Sequence, residues 1–122
     1  MKEDYVSYEV AKLLKEKGFD ELCSSLYNIK TEEATPPREY VFNGDWSGYI
    51  LRPTLQMAMK WLRENHDIFI VIRRGLTGTG WVYSHEIYKD SQCLYAQYGA
   101  SYNTYEEAVE KALKFSLENL IK

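Results

Sequence analysis

Cysteine is scarce in this chain, with two residues, Cys23 and Cys93, in 122. They lie far apart, with neither a CxxC pair nor the close spacing of a disulfide-stapled secreted scaffold, and so read as two free thiols of a reducing compartment. Long apolar runs are missing too. No stretch approaches the roughly 20 residues of a membrane-spanning helix, and the opening MKEDYVSYEV has no apolar core of a secretory signal. The expectation is a cytoplasmic protein with no membrane association. A basic excess is also absent: 15 Lys and Arg stand against 18 Asp and Glu, a net charge of −3, where a chain that lives on nucleic acid shows a surplus or a basic stripe. The one locally positive segment is residues 46–90, with six basic and four acidic side chains.

What the chain has is the material of a folded core. Hydrophobic residues make up 45% and charged residues 27%, far from the composition of disordered chains. A chain of this length folds as one domain, residues 1–122, and buries roughly two-thirds of the surface it exposes when unfolded.

Periodicity divides it into elements. Val6, Val10, Leu13 and Leu14 recur on one helical face up to Lys17; Gly18 stands where a helix stops in a left-handed residue, and Phe19 where it folds back onto Leu14. Leu22–Ile29 suits a short strand. Lys30–Glu39, with Pro36-Pro37, reads as a loop. Tyr40–Phe42 and Gly48–Leu51 read as a hairpin about Asn43-Gly44-Asp45. A second helix from Pro53 or Thr54 to Asn65 turns Leu55, Ala58, Met59 and Leu62 inward, with Trp61 widening the core face and Gln56, Lys60 and Arg63 in water.

Ile68–Arg73 (IFIVIR) is apolar on both faces, the pattern of a central strand. Trp81–Tyr88 and Gln92–Tyr98 continue an antiparallel meander beyond a glycine-rich link. In the last helix, Thr104 and Glu107 form a capping box ahead of a stripe of Tyr105, Ala108, Val109, Ala112, Leu113, Ser116, Leu117 and Leu120. The fold class is therefore α+β: three helices packed on a mostly antiparallel sheet of three to five strands, in the order α-β-(ββ)-α-β-β-β-α.

Three blocks, YVSYEVAKLLKEKGFDE, PTLQMAMKWLRENHDIFI and TYEEAVEKALKFSLENLI, together resemble a family of short uncharacterised proteins of gut-bacterial genomes and their prophages or other mobile elements. The resemblance implies a bacterial or phage setting and supplies no functional residues. Lys30 to Gly48 departs from it and reads as an insertion. SYEVAKLLKEKG also resembles the first helix of small helix-turn-helix modules, but Cys23-Ser24-Ser25-Leu26-Tyr27 offers no side chain for phosphates or base edges where a recognition helix would stand.

Catalytic chemistry finds little support. Cys23, His66, His85 and Cys93 are zinc-ligand types, but no two lie within five residues of each other, whereas zinc modules supply ligands in close pairs. His66 reads as a helix-end residue, and Cys93 as a small buried thiol, a nucleophile only if its strand brings it beside His85. Gly75-Leu76-Thr77-Gly78-Thr79-Gly80 lacks the Lys-Ser/Thr ending of a phosphate loop and leads into a strand. No metal, cofactor or catalytic residue is assigned, and the expectation is a protein that is not an enzyme.

The remaining signal is aromatic. Eleven tyrosines and three tryptophans are residues that cover sheets and that interfaces enrich. Trp46, Tyr49, Arg73, Arg74 and Trp81 combine cationic and aromatic groups in the positive segment, and form the expected binding surface. The function they imply is protein interaction, with an unidentified partner or with a second copy. The alternative is binding of single-stranded nucleic acid.

Overall fold

The computed structural model describes residues 4–36, 47–78, 80–89, 92–96 and 102–121. Its elements are α1 (Tyr8–Glu16), β1 (Leu26–Asn28), β2 (Tyr49–Leu51), α2 (Leu55–His66), β3 (Ile68–Thr77), β4 (Gly80–Lys89), β5 (Gln92–Ala96) and α3 (Tyr105–Asn119). The class is α+β and the order follows the sequence pattern. The five strands fall into two antiparallel sheets, β1-β2 and β3-β4-β5, where one sheet was expected. The expected strand Tyr40–Phe42 lies outside the described residues. The chain divides into two compact units, Met1–Ala58 and Met59–Lys122.

In the first unit α1 begins where Ser7 accepts a hydrogen bond from the Val10 amide at 3.2 Å, satisfying a donor that the helix leaves over. It ends as the sequence predicts. Gly18 takes φ = 95°, the Phe19 amide donates to the Leu14 carbonyl at 2.9 Å and the Gly18 amide to Lys15 at 3.1 Å, the paired bonds of a Schellman stop. Phe19 and Leu14 are both buried.

In the first sheet β1 is met on both sides. Tyr27 of β1 pairs with Ile50 on one side and bridges to Ala34 on the other. The turn that brings the chain back is written in side chains: Asn28 Oδ1 accepts from the amides of Lys30 and Thr31, and Glu32 takes φ = 60°. Thr35 Oγ1 accepts from the Leu26 amide, while the Ser25 hydroxyl donates to the Thr35 carbonyl. Part of the expected Lys30–Glu39 loop is thus a tied hairpin turn.

In the second unit Trp61 and Leu62 are buried, as the helical stripe predicts. Asp67, at φ = 53°, turns the chain from α2 directly into β3. Thr104 caps α3 by accepting from the Glu107 amide at 3.1 Å, and Ala108, Val109, Ala112, Leu113, Ser116 and Leu117 are buried. α3 packs on β3 and β4, opposite the buried Ile68, His85 and Ile87. At its C-terminus the Lys89 ammonium donates to the Leu120 carbonyl at 2.9 Å, where the helix dipole favours a cation.

Two readings change here. Among the described residues β3 lies at the edge of its sheet and β4 at the centre, and IFIVIR is not covered on both faces, since Phe69 is 44% and Val71 39% exposed. The glycine-rich link is largely strand. Pairing runs without a break from Ile68↔Lys89 to Thr77↔Gly80, with a turn at Gly78.

Candidate functional site

Alternation along a strand distributes the residues of the β3-β4 hairpin. Directly paired residues share a face, so Ile68, Ile70, Ile72, Arg74 and Leu76 lie with Lys89, Ile87, His85, Tyr83 and Trp81. The other face carries Phe69, Val71 and Arg73 with Tyr88, Glu86 and Ser84. Arg73 and Arg74, neighbours in sequence, therefore point to opposite sides.

Arg74 stacks on Trp81, its guanidinium carbon 3.9 Å from the ring centroid. Trp81 pairs with Leu76 across the hairpin. Leu76 is 70% and Trp81 52% exposed. β5 pairs with β4 only over Glu86–Lys89, and Tyr102 bridges to Tyr83, so among the described residues the tip extends past the third strand. The result is an apolar and cationic end to a two-stranded ribbon, with the arginine held flat by the ring it covers.

Arg73 is engaged differently. It forms an ion pair with Glu86, to which the Tyr88 hydroxyl also donates. Glu86 is only 3% exposed. The Arg73 hydrogen bond, and then that of Tyr88, hold its carboxyl below the ordinary carboxylate range.

Of the remaining sequence-predicted residues, Trp46 lies outside the described residues. Tyr49 is half-buried in β2 of the first unit, where it lines a largely apolar cavity of about 260 Å³ with Ala11, Phe19 and Leu51. The structure thus joins Arg74 to Trp81 and gives Arg73 a partner on the other face of the sheet. In the sequence Leu76 reads as part of the glycine-rich link; a strand continued to Thr77 sets it opposite Trp81.

A second cleft, about 220 Å³, lies over His85, Tyr102, Lys111, Lys114 and Glu118. The His85 ring stacks on Tyr102 with centroids 5.6 Å apart and planes 14° from parallel. Burial lowers its pKa from the ordinary histidine value, so the imidazole is neutral at pH 7. Cys23 is buried, and desolvation followed by the nearby Glu21 charge pushes its thiol up to about 12, leaving it protonated and a poor nucleophile at neutral pH. Among the described residues no three His, Cys, Asp or Glu side chains gather as a metal site requires, and no helix is long and apolar enough to cross a membrane.

No protein-family model, curated protein or solved structure matches the chain.

Proposed function

We propose that this chain is a non-enzymatic binding module, bacterial or phage-borne as its sequence resemblance implies, that engages a protein partner through the tip of the β3-β4 hairpin. The observation that supports this is the Arg74–Trp81 stack beside Leu76, at a place where both apolar side chains are more than half exposed. A tryptophan and an arginine are the residues that most often dominate binding energy. Here the stack fixes them before a partner arrives, which reduces the ordering cost of association. The module requires no cofactor.

A single-stranded nucleic acid is the second reading, because a base can stack on an exposed Trp ring beside an arginine. The charge balance favours protein: the chain carries −3 overall, and Arg73 is paired with Glu86 on the other face of the sheet, away from Trp81. The test is capture of partners from a bacterial host lysate on the wild type and on Trp81→Ala, followed by titration of each recovered protein and of a mixed-sequence oligonucleotide at several salt concentrations. A protein partner lost tenfold or more by Trp81→Ala, with a shallow salt dependence, supports the proposal. Oligonucleotide binding that falls steeply with salt selects the second reading, since phosphate contacts release counterions. Partners that bind Trp81→Ala as tightly as wild type refute the tip as the site.

A further inference from the structure

A sheet edge is a row of unpaired amides and carbonyls, and proteins that keep such an edge from pairing place lysine, proline or a bulge along it. β3 has none of these between Ile68 and Ile72. Its ten residues pair with β4 in unbroken register, and it has no second neighbour among the described residues.

The direction of its free backbone groups follows from the hydrogen bonds of β4. Tyr83 exchanges both of its backbone bonds with Tyr102, at 2.9 Å each, on the side away from β3. The Arg74·Tyr83 pair is therefore of the non-hydrogen-bonded kind, and along β3 the groups of Ile70, Ile72 and Arg74 point away from β4, where no other described strand meets them. On the outer face of this edge Phe69 and Val71 are 44% and 39% exposed, a small apolar strip continuous with the free backbone.

We infer that this edge is an interface for a second copy of the same chain, formed by antiparallel pairing of β3 with β3 to give a six-stranded sheet about a two-fold axis at Ile70. The charges select this occupant. Asp67, exposed, precedes the strand, and Arg73, on the same outer face as the apolar strip, lies toward its far end. Antiparallel pairing centred on Ile70 sets Asp67 of one copy opposite Arg73 of the other, twice, where the guanidinium, 61% exposed beside its Glu86 partner, has donors to offer a second carboxylate, and Phe69 opposite Val71, twice; parallel pairing would set like charges side by side. Ile70 then meets itself as a hydrogen-bonded pair, and Ile68 meets Ile72, so the outward amides of Ile70 and Ile72 find carbonyls. A self-complementary contact that closes on itself stops at a dimer. It uses neither the ring of Trp81 nor the side chain of Leu76, and so stands independently of the hairpin-tip proposal.

The experiment is sedimentation velocity of the full chain from about 5 to about 500 μM, with amide hydrogen exchange at the two ends of that range. A contact smaller than the standard interface of about 800 Å² per partner belongs to the weak, reversible class, so that range should span its dissociation. Mass should rise from monomer to dimer, and the amides of Ile70 and Ile72 should become protected as it does. Val71→Lys, which adds a charge on the exposed outer face, should raise the dissociation constant at least tenfold while leaving the circular dichroism and the monomer's melting temperature unchanged. Asp67→Asn should weaken the dimer several-fold and flatten its salt dependence, and Trp81→Ala should leave it intact. A wild type that stays monomeric to 500 μM overturns the inference. So does protection of the Ile70 and Ile72 amides that is independent of concentration, which would assign the edge to another part of the same chain. A dimer that survives Val71→Lys unchanged, or that Trp81→Ala abolishes, also overturns it.

Discussion

Two tryptophans of the second unit make opposite demands on the fold, and comparing them tests the assignment of the hairpin tip. Trp61 is 6% exposed on α2, while Trp81 is half-exposed over Arg74. Truncating a buried tryptophan to alanine costs about 3–5 kcal/mol, through lost transfer energy and the cavity left behind. Trp81→Ala forfeits an exposed cation–π contact of about 0.5–1 kcal/mol and a cross-strand pair with Leu76 of about 0.2–1 kcal/mol. The total is about 1 kcal/mol, or roughly 3–6 °C in Tm for a chain of this size. Urea and thermal denaturation of the two alanine variants give the comparison directly. A double-mutant cycle with Arg74→Ala should isolate a coupling of about 0.5–1 kcal/mol between ring and guanidinium. If Trp81→Ala costs as much as Trp61→Ala, the ring is structural and the tip is not a preformed contact surface. If the coupling is zero, the stack does not order the arginine.

Gly18→Ala should lose about 1–2 kcal/mol in urea denaturation, because φ = 95° is unfavourable for a residue with a side chain; nothing lies within 4 Å of the added Cβ, so the penalty is conformational, and an unchanged midpoint would refute the Schellman geometry. Thr104→Ala should cost about 1 kcal/mol as the Glu107 amide loses its acceptor, read in the same assay. Acid should act in two stages. His85 has a folded pKa below its unfolded value, so stability begins to fall as pH drops through the ordinary histidine range, and His85→Phe should flatten that first slope. Glu86 also has a folded pKa below its unfolded value, so its contribution is present above the ordinary carboxylate range and is lost as pH falls through it; Glu86→Gln should remove that second slope in melting temperatures measured from pH 7 to pH 3.

The helices were legible in the sequence because their signals are local. Gly18 and Phe19 stop α1 through bonds that span five residues, and the Thr104 cap and the α3 stripe depend only on spacing within that helix. The strands were legible as strands, but not by position. IFIVIR reads the same whether a neighbouring strand, a helix or a second molecule covers its outer face, so Phe69 and Val71 gave no sign that β3 is an edge. The return of the chain after β1 depends on Asn28, Ser25 and Thr35 satisfying backbone groups up to ten positions away. No periodicity records such bonds.

The same limit explains the site. Arg73 and Arg74 read as one cationic patch at the edge of a glycine-rich link, and as two separate groups once the strand continues through them. A period of two sends one guanidinium to Glu86 and the other to Trp81. The hairpin thereby sets a single pair of arginines on its two faces. Arg73 neutralises a nearly buried carboxylate on the outer face, beside Phe69 and Val71. That frees the apolar strip from an uncompensated negative charge, which would oppose covering it with any apolar partner. Arg74, one residue on, lies over an aromatic ring at the exposed end. The residue beside the apolar strip and the residue at the tip are adjacent in the chain, and strand alternation alone sends their side chains to opposite faces.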